Sequence, residues 1–178
     1  MVNPPQERAG LGAELTTNLI NRQDFFELIS KKFKIIPVQQ LFPIEIHSAE
    51  AMKDFGSSLA KQLRSGDILA LIGDLGAGKT QLTQGIASAL GRTDAVTSPT
   101  FALVNEYKDC APELIHFDWY RMERPEELLA IGWEDYLERD AILVIEWPDR
   151  FPEMIPAGSH CIHIEHLESG RRLSYAQA

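Results

Sequence analysis

Short apolar runs alternate along the chain with polar, glycine-bearing stretches, and the spacing within each run predicts the element it forms. Ile68 to Ile72 is continuously apolar, as expected of a strand buried on both faces. Leu82, Ile86, Ala89 and Leu90 then recur at helical spacing, and Gly91 is placed to end that helix. Further strands are expected over 102–107, 114–118 and 142–146, the last two each ending in an acid. Ile162 to Tyr175 reads as a hairpin turning around Glu168-Ser169-Gly170. Near Pro125 begins an acid-rich helix, whose charges suit either a solvated face or a docking surface. Within that region Trp119 and Trp133 are expected to be packing aromatics.

The first 43 residues follow a different pattern. Met1 to Gly12 is rich in Pro and Gly and is expected to lack order. Asp24 followed by Glu27 is a capping-box spacing, and Phe26, Ile29 and Phe33 form a helical stripe behind it. A short helix over 24–34 is therefore expected, either packed on the body or docking a partner. The join falls between Pro37 and Pro43, so residues 1–43 read as an extension and 44–178 as the folded domain.

Composition narrows the classes. At 178 residues, with 44% hydrophobic, the chain suits one domain that needs no disulfides. Cys110 and Cys161 form no C-x-x-C pair, which argues against a disulfide scaffold and a cysteine-rich zinc module. His160, His163 and His166 resemble a metal cluster, but alternate strand residues face opposite sides, so His163 would point away from the other two. Neither a membrane-length apolar run nor a basic-then-apolar leader pattern is visible, so a cytoplasmic domain is expected. The net charge is −9, distributed as +1 over residues 1–43 and −10 over 44–178. Such an acidic body disfavours an independent grip on DNA or other nucleic acid, because surfaces that track phosphates are basic.

The chemistry is concentrated where the first strand ends. Gly73-Asp74-Leu75-Gly76-Ala77-Gly78-Lys79-Thr80 fits G-x-x-x-x-G-K-[ST], preceded by the strand and followed, from Gln81 on, by the helix that this motif requires. Glycines let successive backbone N–H groups turn toward one anion, and the helix N-terminus adds to that field. Lys79 can reach the β- and γ-phosphates, and the Thr80 hydroxyl can ligate Mg2+. Asp118 and Glu146 each close an apolar run, and either can hold Mg2+ or orient an attacking water. Spacing does not say which acid does which. Ser98-Pro99-Thr100-Phe101 is a Pro-stiffened loop that reads as an ordinary turn or as a nucleotide-ordered switch.

GDLGAGKT at 73–80, SPTF at 98–101, the H-x-D-x-Y-R run from His116 to Arg121 and IEWP at 145–148 occur in an order and spacing that resembles the bacterial TsaE (YjeE) family. That family comprises P-loop ATPases required for threonylcarbamoyladenosine (t6A) formation in tRNA. The resemblance covers about residues 44–176, and nothing is carried from it onto the extension. It implies a P-loop NTPase-like α/β sheet with central parallel strands, flanking antiparallel strands and helices on both faces. It also implies ATP in the P-loop, Mg2+ on Thr80 and Glu146, and Asp118 as the water-orienting or basic residue. Ser98 to Phe101 becomes switch-like, Trp147 lies near the nucleotide, and Ser48 and Gly170 fall on the adenine side. The implied activity is a weak, partner-stimulated ATPase that is not itself the threonylcarbamoyl transferase. Its partners would be the TsaD–TsaB pair, with tRNA reached only through them. A P-loop alone equally suits a small metabolite kinase, although no basic lid with clustered arginines follows it.

Overall fold

Every strand and helix that carries the P-loop and its two acids lies within residues 37–178, which the computed structural model describes. The helix expected over 24–34 falls outside the described residues. A 3₁₀ turn over Val38–Leu41 leads into β1 (Ile44–Ile46), α1 (Ala49–Ala60), β2 (Ile68–Ile72), α2 (Lys79–Ala89), β3 (Val104–Tyr107) and β4 (Glu113–Asp118). Two short helices, α3 (Glu126–Ala130) and α4 (Trp133–Leu137), precede β5 (Ala141–Glu146), β6 (His160–His166) and β7 (Arg171–Gln177). The seven strands form one sheet in the order β1-β7-β6-β2-β5-β4-β3. Its central strands β6, β2, β5 and β4 run parallel, whereas β3, β7 and β1 pair antiparallel at the flanks.

The period of two along each strand separates the molecule into two cores. Leu69 and Leu71 of β2, Leu114 of β4 and Ile142 and Val144 of β5 face α1 and α2, together with Leu59, Leu82 and Ile86. Ile115 and Phe117 of β4, with Ala141, Leu143 and Ile145 of β5, face the other way, onto Leu128, Trp133 and Phe151. Trp119 and Trp133 are packing residues in this second core, their rings edge-on at 5.4 Å. Both faces of the central strands are thus covered, which is why these strands are apolar runs without alternation. The same parity puts His116 and Asp118 of β4 and Glu146 of β5 on the α2 face.

Where α1 and α2 cross, the backbones touch. A Cβ on Gly85 would stand 2.0 Å from the Lys53 carbonyl oxygen, and one on Gly56 would stand 2.3 Å from that of Leu82. The crossing fixes α2, and with it the P-loop at its N-terminus. Gly85→Ala is expected to destabilise the fold by about 1–3 kcal/mol through overpacking. An unchanged melting temperature would contradict this contact.

Element ends differ from the sequence pattern where backbone bonds intervene. The strand expected from Ala102 starts at Val104, because Leu103 adopts a left-handed φ of 68° with its N–H donating to the Pro99 carbonyl at 2.6 Å. The acid-rich helix after Pro125 is two short helices, interrupted at Gly132, where φ is +81°. Helix α2 ends as its sequence predicts: beyond Leu90, Gly91 N–H donates to Ser88 and Arg92 N–H to Ala87, the paired bonds of a Schellman motif. Val38, on the extension side of the expected boundary, is buried in the same core as Ile46 and Phe55. Among the described residues no helix is long and apolar enough to cross a membrane.

An exposed charge network ties the β3 edge to the body. Arg139, just ahead of β5, pairs with Glu106 of β3 and Glu113 of β4, and the Tyr136 hydroxyl donates to Glu106 at 2.9 Å. Arg139 first, then Lys108 and the Tyr136 hydroxyl, lower the Glu106 carboxyl from 4.5 to about 2. A depressed folded value contributes stability above the unfolded pKa and loses it as pH falls through the folded one. The contribution should therefore fade between pH 4.5 and about 2. Solvent screening keeps it below about 1 kcal/mol. Glu106→Gln should flatten that part of the melting-temperature profile, and an unaltered profile would show that the network adds nothing.

Candidate functional site

The site lies at the carboxyl edge of the parallel strands, where open α/β sheets receive ligands. β2 ends at Ile72 and passes directly into the loop of residues 73–78, and α2 begins at Lys79. Gly78, the N-cap of α2, has φ of 110°, a conformation that L side chains rarely adopt. The first N–H groups of a helix have no intrahelical partner, so the N-terminus of α2 is suited to receive an anion.

Lys79 is only 4% exposed. Its Nζ donates to the carbonyl of Gly73 and, at 3.0 Å, to that of Asp74, and it sits 3.7 Å above the centre of the Trp147 ring. Burial lowers its pKa, while Glu146, Asp118, Asp149 and Asp74 pull the other way. The lysine is thus folded onto its own loop, with carboxylates nearby that favour its charge.

The two candidate acids occupy opposing register positions on neighbouring parallel strands and are 2% and 3% exposed. Two buried carboxyl groups on adjacent strands need hydrogen-bond partners, and each has its own. Glu146 Oε1 accepts the Thr80 hydroxyl at 2.9 Å and lies 2.8 Å from His116 Nε2. Asp118 Oδ2 accepts the hydroxyls of Ser98, at 2.7 Å, and Thr100, while Oδ1 accepts the Tyr120 N–H at 3.0 Å. The two acids therefore have different partners: Glu146 is paired with the P-loop threonine, and Asp118 with the Ser98–Phe101 loop. Thr80 and Glu146 are hard oxygen donors side by side, a donor set that suits Mg2+.

Two non-glycine residues with positive φ bracket this arrangement. Leu103, at 68°, closes the Ser98–Phe101 loop, and its carbonyl accepts the Asp118 N–H at 3.1 Å. Trp147, at 62°, follows Glu146 directly and turns its indole beneath Lys79. Conformations of this kind cost about 1–3 kcal/mol each and cluster at functional sites.

Two cavities meet at the P-loop. One of about 490 Å³ is bounded by Lys79, Thr80, Asp118, Glu146 and Trp147, with Ser98 and Thr100 on its wall. The other, about 280 Å³, is bounded by Ser48, Met52, Gly170 and Arg171. Gly76 and Gln81 line both. Ser48 caps α1 by accepting the Ala51 N–H at 3.0 Å. The β6–β7 turn reaches it because the Ser169 carbonyl lies 2.8 Å from His47 Nδ1, and a Cβ on Gly170 would collide with the Ile46 carbonyl at 2.4 Å. Ser48 and Gly170, far apart in sequence, are thereby brought to one cavity. Leu75 and Phe101 stand 76% and 84% exposed beside the larger cavity, and the Arg121 guanidinium stacks 4.2 Å over the Phe101 ring. His116, which opens the H-x-D-x-Y-R run, and Arg171 are site residues to which the sequence assigned no role. His116 lies two positions before Asp118, hence on the same strand face, and Arg171 directly follows Gly170. Those offsets were the available signals.

Comparison with known proteins places the chain in a family. The model of the family described as "Threonylcarbamoyl adenosine biosynthesis protein TsaE" matches residues 46–173. A protein of Haemophilus influenzae named tRNA threonylcarbamoyladenosine biosynthesis protein TsaE is 36% identical over 135 residues, covering 75% of this chain and 85% of the relative. A Nostoc protein of the same name is 40% identical over 119 residues, covering 65% of this chain and 73% of the relative. The crystal structure of Bacillus subtilis YdiB superimposes with a TM-score of 0.65 at 30% identity, covering 75% of this chain and 83% of that one. The fold is accordingly the P-loop NTPase-like α/β sheet that the motifs imply, and the chain belongs to the TsaE family.

Proposed function

We propose that this chain binds ATP with Mg2+ at its P-loop and hydrolyses it slowly to ADP and phosphate. The hydrolysis would serve formation of the threonylcarbamoyl group on N6 of adenosine 37, in tRNAs that read codons starting with adenine. It would act in the cytoplasm with the TsaD–TsaB transfer pair, meeting tRNA through them. The observation that carries the reading is the convergence of Thr80, Glu146 and Asp118 on the cavity that Lys79 floors. The biosynthetic assignment rests on the names of its relatives.

The residues suggest a division of work. Thr80 and Glu146 would hold Mg2+, which when bound neutralises charge on the phosphates. Lys79 would exchange its bonds to the Gly73 and Asp74 carbonyls for phosphate oxygens. Ser48 and Gly170 would face the adenine side, with Gln81 between the two cavities. Asp118 would orient water, but its Oδ2 is capped by Ser98 and Thr100. Release of the Ser98–Phe101 loop would open Oδ2 to water as well as Oδ1, which would couple loop position to catalysis as in other P-loop switches.

Single-turnover conversion of bound ATP, with and without TsaD–TsaB, tests the reading. Release of ADP and phosphate without any acceptor supports it. ATP recovered intact would instead mark a nucleotide-gated binding module, and phosphate on an added small acceptor would mark a kinase.

A further inference from the structure

His116 is fully buried beneath the site, and its Nε2 lies 2.8 Å from Glu146 Oε1, the oxygen that also accepts the Thr80 hydroxyl. Against an ionised Glu146 a bare Nε2 would set lone pair against lone pair, so the tautomer that fits this contact carries its hydrogen on Nε2 and donates it. The opposite nitrogen, Nδ1, is buried and has no hydrogen-bond partner among the described residues. Leaving a polar atom in that state costs about 1–3 kcal/mol. A leucine could fill this strand position without that cost. What distinguishes the imidazole here is the single bond it gives to Glu146.

We propose that His116 is a positioning residue. By donating Nε2–H to Glu146 it holds the carboxylate in the rotamer that faces Thr80, presetting the oxygen pair that would hold Mg2+. The register supports this: His116 opposes Val144, two residues before Glu146 on β5, so ring and carboxylate are diagonal neighbours on one sheet face. Without the donor, the Glu146 side chain must find its orientation on each metal-binding event. The inference rests on the nucleotide-and-Mg2+ reading above.

The test uses His116→Phe, which keeps ring bulk without the donor, and His116→Gln, which returns an amide N–H to the Nε2 position. Mn2+ binding to the ADP-bound chain is measured by electron paramagnetic resonance, and metal-free ADP binding is measured in chelator. His116→Phe should weaken Mn2+ binding by about 10–100-fold, the usual effect of removing a group that orients a metal ligand. Its metal-free ADP affinity should be unchanged, and His116→Gln should recover most of the loss. Wild-type Mn2+ affinity in His116→Phe overturns the proposal. So does loss of metal-free ADP binding, or a glutamine that fails as badly as phenylalanine. If neither variant folds, the ¹⁵N-imidazole spectrum of the wild-type chain decides: hydrogen on Nε2 supports the role, and hydrogen on Nδ1 alone overturns it. Wild-type protein that binds no ADP would bring down the nucleotide reading and this inference together. Wild-type binding with an indifferent His116→Phe brings down only the inference.

Discussion

Lys79→Ala is expected to lower ATP turnover by at least about 100-fold, the scale seen when one preorganised charge-stabilising group is removed. Two losses combine in this substitution. The cation that would meet the phosphates disappears, and the clip that Nζ makes between the Gly73 and Asp74 carbonyls opens. The Trp147 indole also loses the charge lying 3.7 Å above its ring. Nucleotide affinity should fall as well, since each charge-assisted bond contributes about 1.5–3 kcal/mol. Phosphate release under saturating ATP and ADP titration measure the two effects separately. Wild-type turnover in Lys79→Ala would remove the basis for placing the nucleotide here.

The second large effect is expected at Glu146. Replacing it with alanine takes away the acceptor of both the Thr80 hydroxyl and the His116 ring. Mg2+-dependent hydrolysis should fall by about 100-fold, whereas ADP binding in chelator should change little, because the loop N–H groups are untouched. The His116 donor left unpaired in a fully buried position should also lower stability by about 1–3 kcal/mol. Glu146→Gln keeps the shape and an acceptor oxygen, so it should recover stability without recovering metal-dependent turnover. Equal losses of hydrolysis and metal-free binding in Glu146→Ala would assign the residue a structural role instead.

The parts of this site that could be read from sequence are those encoded contiguously. Residues 73–80 spell a loop whose geometry follows from its own glycines and from the strand and helix on either side. Asp118 and Glu146 were visible as acids closing apolar runs, since an acid at a strand end stands at a sheet edge. Their division of partners was not visible. Thr80 and Glu146 are 66 residues apart and Ser98 and Asp118 are 20 apart; the first pairing depends on β5 lying beside β2 and the second on β3 pairing with β4. Strand order is a tertiary property that local periodicity does not carry. The part played by His116 was hidden for a related reason: although it opens the H-x-D-x-Y-R run, its contact with Glu146 appears only when the next strand is set beside it. The left-handed turns at Leu103 and Trp147 were equally hidden, because neither residue type announces a positive φ. Only the family resemblance pointed to Ser48 and Gly170, which line one cavity. The folded chain joins them through the β6–β7 turn resting on His47.

The site explains why slow hydrolysis is expected of the isolated chain. Asp118 is capped by the Ser98–Phe101 loop, and Arg121 is stacked on Phe101. A partner that draws this loop away would free the carboxylate and the guanidinium together. Steady-state phosphate release from ATP by the purified chain, alone and with TsaD–TsaB and tRNA, tests this account most directly. The account predicts turnover on the order of 10⁻⁴ to 10⁻² s⁻¹ alone, as for P-loop hydrolysis lacking a trans-supplied arginine, and a clear rise when the pair is added. Brisk turnover that the pair leaves unchanged, or turnover that requires a small phosphate acceptor, would contradict it.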